Sequence, residues 1–112
     1  MKLETGIQTA ILNYLSYYEN QGKLYCFRSN SFGGFIQRSN GTRGYIKNNK
    51  RGLPDIVCCI SGRFLALEIK TDKGKQSEFQ KAAQTAIEKS GGLYSIVRSV
   101  DDVEKIIKSL TL

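Results

Sequence analysis

Apolar residues recur at intervals of three and four in three segments of the chain. These segments run from 4 to about 20, from 77 to about 90, and onward from 99. Such spacing places apolar side chains on one face of a helix, so the sequence predicts three amphipathic helices. Ser77 and Gln80 have the spacing of a capping box, which marks the start of the second helix.

Four shorter segments have the composition of β-strands. They are KLYCFRS at 23–29, DIVCCI at 55–60, RFLALEIK at 63–70 and LYSIVRS at 93–99. Only Ser61-Gly62 separates the middle two, which is the length of a tight hairpin turn. In the order α-β-β-β-α-β-α, a strand, a helix and a strand precede the last helix, which predicts a parallel pairing beside an antiparallel hairpin. We expect one domain over 1–112 of the α/β class, in its α+β form, with helices packed on a mixed sheet.

Residues from about 30 to 53 interrupt this pattern. The segment is rich in glycine and asparagine and contains scattered aromatic residues. This composition is typical of either a long hairpin or a mobile loop. A connection of this length in a compact domain usually has a function.

The predicted hairpin carries charged residues at its ends. With a two-residue turn, the numbers of paired residues sum to 123, so Asp55 lies opposite Glu68. Their Cβ atoms would then be roughly 4.5–5.5 Å apart. Because side chains alternate along a strand, Lys70 shares their face, and the opposite face is apolar. One more residue in the turn would move Asp55 off that face.

Two opposed carboxylates repel each other and need a compensating charge. A divalent cation suits this role, because Mg²⁺ binds one or two carboxylates together with waters and phosphate oxygens. Lys70 can offset the charge and position or activate a water for attack on a phosphate. Glu4 projects from the apolar stripe of the first helix toward the same cluster, and Gln80 can orient a ligand from the second helix.

Each of these residues also has a purely structural interpretation. Glu4 can complement the dipole of its helix, and Gln80 can act only as a cap. Asp55 can be a turn residue, and Glu68 with Lys70 can form a surface ion pair of small energetic effect. The convergence of two acids and a lysine on one sheet face favours the functional interpretation.

Charge is distributed unevenly along the chain. Residues 20–54 contain seven of the 17 basic residues and no acidic one, so the remaining ten basic residues balance the ten acidic ones. This concentration indicates a surface that binds a polyanion, with a solvated basic loop as the alternative. The basic residues are Lys23, Arg28, Arg38, Arg43, Lys47, Lys50 and Arg51.

The absence of histidine excludes histidine general bases and most zinc sites. The three cysteines form no CxxC pair, which suits buried thiols in a reducing compartment. The N-terminal residues lack the unbroken apolar run of a signal peptide, and no segment is long and apolar enough to span a membrane. We therefore expect a cytoplasmic protein that does not associate with membranes.

Pro54-Asp55, twelve further residues and Glu68-Ile69-Lys70 resemble the PD-(D/E)XK motif of restriction-endonuclease-like nucleases. The similarity extends along nearly the whole chain to the virus-type replication-repair nuclease domain, VRR-NUC, in a stand-alone form of the phage type. The further matching residues are Glu4 and Gln8, the Gly/Asn-rich stretch that leads to Gly52, the Gly-Lys-Gln-Ser lead into the helix with Gln80, Gly92-x-Tyr94 and Val97-Arg98-Ser99.

The resemblance implies a restriction-endonuclease-like fold and a phosphodiesterase that depends on Mg²⁺ or Mn²⁺, with no small-molecule cofactor. Asp55, Glu68 and the Ile69 carbonyl would bind the metal, and Lys70 would act on the attacking water or the scissile phosphate. Glu4 would correspond to the acid of the family's first helix, bound to the metal directly or through water, and Gln80 to its helix glutamine.

Stand-alone members of this type are similar to Holliday junction resolvases, which act as homodimers, so we expect branched DNA as the substrate. Flaps, splayed arms or duplex DNA are alternative substrates for the same fold, and a non-catalytic nucleic-acid-binding module is an alternative function. DNA phosphates would contact Arg28, Arg38, Arg43, Lys47, Lys50 and Arg51. Phe32, Phe35 or Tyr45 can stack on bases at a strand opening or pack a dimer interface.

Overall fold

The described residues form three helices and six strands, which follow the predicted order with the β-hairpin of residues 34–46 added. A computed structural model describes residues 4–29, 34–46 and 50–111. The elements are α1 (Glu4–Asn20), β1 (Leu24–Arg28), β2 (Gly34–Gln37), β3 (Arg43–Ile46), β4 (Ile56–Ile60), β5 (Arg63–Ile69), α2 (Glu78–Lys89), β6 (Leu93–Val97) and α3 (Val100–Leu110). Within the described ranges no helix is long and apolar enough to cross a membrane.

The main sheet has four strands in the order β1-β4-β5-β6. β1, β4 and β5 pair in antiparallel fashion, whereas β5 and β6 are parallel. β5, α2 and β6 therefore form the crossover that the sequence predicts. The predicted mixed sheet and its α+β class are confirmed.

The segment predicted as either a hairpin or a loop contains a hairpin. β2 and β3 pair as a separate two-stranded sheet. Its turn is closed by a hydrogen bond from the Arg38 amide to the Thr42 carbonyl at 2.8 Å, and the Asn40 side chain accepts from the Thr42 amide. Arg38, at the turn, and Arg43, in β3, are therefore carried on a hairpin outside the main sheet.

One face of the main sheet forms the core. α1 and α3 pack on this face and bury Ile11 and Leu15 of α1 with Val103 and Ile107 of α3. The strand residues of this core cluster are Leu24, Ile56, Cys58, Ile60, Leu65, Leu67, Ile69 and Val97. Except for Leu24 and Val97, these are the residues that the alternation of the hairpin assigns to its apolar face.

α2 lies on the opposite face, toward β6. Its capping box is present as predicted, with Ser77 as the N-cap and Gln80 as its partner. The apolar stripe of α2 contributes no fully buried residue, and Phe79 remains 52% exposed. This helix therefore covers only part of its side of the sheet.

The β4–β5 turn has the predicted length of two residues. Ser61 has φ = 53° and Gly62 has φ = 75°, the positive values that a type I′ turn requires at both positions. Ile60 pairs with Arg63, and each further pair down to Ile56 with Leu67 follows the same register. The turn thereby decides which β5 residue meets Asp55.

Replacement of Gly62 by alanine is expected to lower the free energy of unfolding by about 1–2 kcal/mol, since a Cβ disfavours the left-handed conformation. Urea denaturation would measure the change. Arg63→Ala, at the next and exposed position, is the matched control and should stay within about 0.5 kcal/mol of the original chain. Equal stability of the Gly62→Ala chain would contradict the turn assignment.

Candidate active site at the ends of β4 and β5

Asp55 is held at the point where β4 begins. Its carbonyl accepts a hydrogen bond from the Ser29 amide at 2.9 Å, which ties it to the end of β1. Its side chain contacts β5, where Asp55 Oδ2 accepts a hydrogen bond from the Ile69 amide at 2.7 Å. This hydrogen bond lies just beyond the last β4–β5 pair, Ile56 with Leu67. The position of the Asp55 carboxylate therefore depends on the hairpin register.

Glu68 is the one buried charged residue of the described chain, with 2% of its surface exposed. Gln80 Nε2 donates to Glu68 Oε2 at 2.7 Å, and Lys70 Nζ lies 3.7 Å from the same oxygen. Among the described residues, the other oxygen, Oε1, has no hydrogen-bond partner although it is buried. A buried carboxylate oxygen without a hydrogen-bond donor destabilises the folded chain. Glu68 Oε1 can therefore bind a proton or a cation.

The electrostatics of Glu68 lead to the same conclusion. Burial, followed by the charge of Asp55, raises the pKa of Glu68 to about 8, and the ammonium of Lys70 offsets only part of this. When protonated, Glu68 can donate a hydrogen bond to Asp55, which further raises its pKa. A divalent cation between the two carboxylates would remove the same repulsion without a proton.

Gln80 combines the structural and the functional interpretation in one side chain. Its Oε1 accepts from the Ser77 amide at 2.8 Å and completes the capping box of α2. Its Nε2 meanwhile donates to Glu68. The start of α2 is therefore fastened directly to the buried carboxylate.

Lys70 follows β5 and is largely buried, with 12% of its side chain exposed. Its amide donates to the Val97 carbonyl at 3.0 Å, which continues the β5–β6 pairing. In the loop that follows, the Arg98 guanidinium donates to the Thr71 carbonyl. These bonds hold the backbone of Lys70 and Thr71 beside the end of β6.

Glu4 lies exposed in the first turn of α1. Its negative charge makes a small contribution to the raised pKa of Glu68, so the structure brings it near the carboxylate pair. In the ranges that are described, no three acidic, cysteine or histidine residues are close enough to bind one ion together. A role for Glu4 through water stays a prediction.

The predicted DNA-binding residues occupy several places. Arg28 ends β1 on the exposed surface, and Lys50 and Arg51 border a groove beside α2. Arg38 folds over its own hairpin, where it donates to the Arg43 carbonyl at 2.7 Å and lies against Gly44. Tyr45 is 55% exposed. Lys47 and Phe32 lie outside the described residues.

Tyr94 is a neighbour of the site to which the residue pattern assigned no role. It pairs with Ala66 in the parallel register of β5 and β6, on the face of the two acids, and Gln76 Nε2 donates to its hydroxyl at 3.3 Å. Burial raises its pKa, and the charges of Glu68 and Asp55 add to this effect. Strand alternation alone could not place it, since the register of a parallel pair is not set by a short turn.

The mixed sheet and its three helices have a restriction-endonuclease-like fold. A solved structure titled "VRR_NUC domain" superposes with a TM-score of 0.59, covering 89% of this chain and 92% of that chain at 17% sequence identity. The chain therefore has the fold of a VRR-NUC domain, as its sequence motifs predict. No family model and no curated protein matches the sequence.

The residues present fit a divalent metal ion. Two carboxylates meet at strand ends, one of them buried with an oxygen that no described donor satisfies. Oxygen ligands are those that Mg²⁺ prefers, and it commonly takes only one or two carboxylates from the protein. Asp55 and Glu68 would supply these ligands, with the Ile69 carbonyl as a further predicted one.

Glu68→Gln is expected to change how stability depends on pH in the absence of metal. Because the pKa of Glu68 is raised above its usual 4.5 to about 8, the folded chain binds this proton more tightly than the unfolded chain. The resulting stabilisation is complete below the ordinary pKa and is lost as pH rises through about 8. The glutamine side chain mimics the protonated acid, so the variant lacks this loss.

Urea denaturation in EDTA between pH 5 and pH 9 would test this expectation. The stability of Glu68→Gln relative to the original chain should rise across this range by about 1 kcal/mol or more, since one pKa unit corresponds to about 1.4 kcal/mol. Glu78→Gln, at an exposed position of α2, should run parallel to the original chain. Parallel profiles for both variants would show that Glu68 ionises normally.

Proposed function

We propose that this protein is a DNA endonuclease that requires Mg²⁺ or Mn²⁺ and hydrolyses phosphodiester bonds. The observation that carries the proposal is the convergence of Asp55, buried Glu68 and Lys70 at one end of the β4–β5 hairpin. The likeness to a structure titled "VRR_NUC domain" supports the same chemistry. A non-catalytic binding module would not need to keep a buried carboxylate beside a second, repelling acid.

Each side chain has a distinct task in this proposal. Asp55 and Glu68 hold the ion, which when bound supplies an acidic water and positive charge for the phosphate. Gln80 keeps Glu68 oriented through its 2.7 Å hydrogen bond. Lys70, at 3.7 Å from Glu68, is placed to contact the scissile phosphate or to position the attacking water.

Basic residues on the same chain would bring DNA to this site. Arg28 ends β1 and pairs with Ile56, the residue after Asp55. Lys50 and Arg51 lie in the loop that precedes Asp55 and β4. Arg43 belongs to the β2–β3 hairpin, with Arg38 at its turn. Such residues contact phosphates without reading sequence, which suits an enzyme that selects DNA by shape.

We propose that the substrate is a four-way DNA junction and that the enzyme acts on it as a homodimer. One chain offers one carboxylate pair, whereas a junction must be cut in two symmetry-related strands. A two-fold dimer supplies two sites with the required symmetry. Flaps, splayed arms and duplex DNA are the competing substrates.

Asp55→Asn is expected to reduce cleavage in Mg²⁺ by at least about 100-fold while DNA binding persists. Asparagine keeps an oxygen that can accept from the Ile69 amide but lacks the negative charge for the ion. Lys70→Ala should lose activity similarly, and EDTA should abolish cleavage by the original chain. Denaturing gels of labelled junctions and gel-shift titrations would measure both properties.

Lys81→Ala is the matched control for Lys70→Ala, because Lys81 is an exposed lysine of α2 that pairs only with Glu78 among the described residues. Its cleavage rate should be unchanged. Full activity of both Asp55→Asn and Lys70→Ala would show that the assigned site is wrong.

Junction, flap, splayed-arm and duplex DNA of equal length should be cut at different rates, the junction fastest. Sedimentation equilibrium of the protein alone should give twice the chain mass, since paired cuts need two sites. A monomer that nicks a single strand would exclude the resolvase while leaving the nuclease assignment intact. Equal cutting of all four DNAs would exclude selection by structure.

A further inference from the structure

A groove runs beside the carboxylate site, between α2 and the face of the sheet that the helix leaves uncovered. It encloses about 630 Å³, within the roughly 300–1,000 Å³ typical of small-ligand pockets. Its walls include Pro54, which directly precedes Asp55, and Phe79, which directly precedes Gln80. The groove therefore opens within one residue of the site on both sides.

Aromatic side chains in this groove remain in contact with water. Phe64, from β5, is 45% exposed and Phe79 is 52% exposed, with Val57 and Ala86 also in the lining. Large apolar side chains so close to a candidate active site normally contact a ligand or partner. The flat rings suit a planar aromatic group that can stack on them.

The rim of the groove is basic. Lys50 and Arg51 belong to its lining, and none of the described lining residues is acidic. The guanidinium carbon of Arg51 lies 4.8 Å from the centroid of the Phe79 ring, so the two side chains form a cation–π contact. The same groove thus presents positive charge and an apolar surface.

The backbone at Gly52 fixes this arrangement. Gly52 has φ = 74°, and a Cβ there would lie 2.3 Å from the Phe79 carbonyl oxygen. The loop can therefore pass against the first turn of α2 only with glycine at this position. As a result, Arg51 is placed beside Phe79 by the main chain and not only by its own flexible side chain.

We propose that the groove binds an unpaired nucleotide of the DNA strand that is cut, with its base stacked on Phe79 and its phosphate contacted by Lys50 and Arg51. The inference rests on the proposed nuclease function. A nucleotide combines the planar apolar group and the negative charge that the groove complements. A second copy of this chain would instead bring the same two cations toward one another across a two-fold axis.

This occupancy would give the enzyme its preference for branched DNA. A base can enter the groove only where it leaves the double helix, and it leaves most easily at a junction or a strand opening. The phosphate next to that nucleotide would then lie at the carboxylate pair. Selection by DNA structure would follow from this local unpairing.

A thermodynamic cycle between Phe79 and single nucleotides would test the proposal. The chain carries Asp55→Asn throughout, so that binding is measured without cleavage, and labelled four-way junctions carry one abasic nucleotide at each position near the branch in turn. At one position, loss of the base should weaken binding to the Phe79 chain about 5- to 100-fold, the range for stacking on an aromatic ring. In Phe79→Ala the same abasic junction should bind as the intact one does.

Two further variants separate stacking from folding. Phe79→Leu keeps an apolar side chain without a ring and should behave like Phe79→Ala, whereas Phe79→Tyr should keep the coupling. Tyr17→Ala is the control, because Tyr17 is 69% exposed on α1, across the sheet from the groove. It should leave every affinity unchanged.

The outcomes distinguish the groove from the nuclease function. If each abasic position weakens both chains equally, no base stacks on Phe79 and the proposal is wrong. It is equally overturned if Phe79→Leu converts a dimer to a monomer in sedimentation and weakens all DNAs alike, since a second copy then fills the groove. Cleavage by the unmodified chain in Mg²⁺, measured alongside, shows whether the nuclease function survives either result.

Discussion

The buried carboxyl group of Glu68 imposes the constraint on which the site depends. It lies almost wholly out of water beside a second acid, and one of its oxygens has no described donor. A protein tolerates such a group only where its neighbours hold it in place and where a proton or cation can relieve the repulsion. Gln80 and Lys70 provide part of that support, and the bond from the Ile69 amide to Asp55 keeps the second acid close. The arrangement is unfavourable for folding but suited to binding an ion.

The two faces of the main sheet have different roles. The inner face, under α1 and α3, is a closed apolar core that holds the hairpin rigid. The outer face carries the acids and is only partly covered by α2, which leaves the groove next to them. Gln80 connects these features, because it caps α2 and bonds to Glu68 with one side chain. The position of the helix, the orientation of the carboxylate and the shape of the groove are therefore coupled.

Much of this site could be predicted from particular residues. The two-residue turn at Ser61-Gly62 defines the register, and the register brings Glu68 to Asp55. Ser77 and Gln80 mark the start of α2 by their spacing alone. The place of Tyr94 beside Ala66 was not predictable in this way, since a parallel pair is joined by a whole helix and its register depends on packing. The contact of Arg51 with Phe79 likewise joins residues far apart in the chain and leaves no periodic signal.

The sequence by itself determined the order of the helices and of the main-sheet strands, the apolar face of the β4–β5 hairpin and the meeting of the two acids, because these follow from local periodicity and one short turn. It also carried the motif similarity to VRR-NUC, and a solved structure at 17% identity confirms the shared fold. Only the tertiary structure decided that Glu68 is buried with an oxygen that no described residue satisfies, that α2 leaves part of the outer face open, and that the loop with Lys50 and Arg51 packs against α2 at Gly52. Burial and close approach depend on how separate elements pack, and that packing is a property of the whole fold.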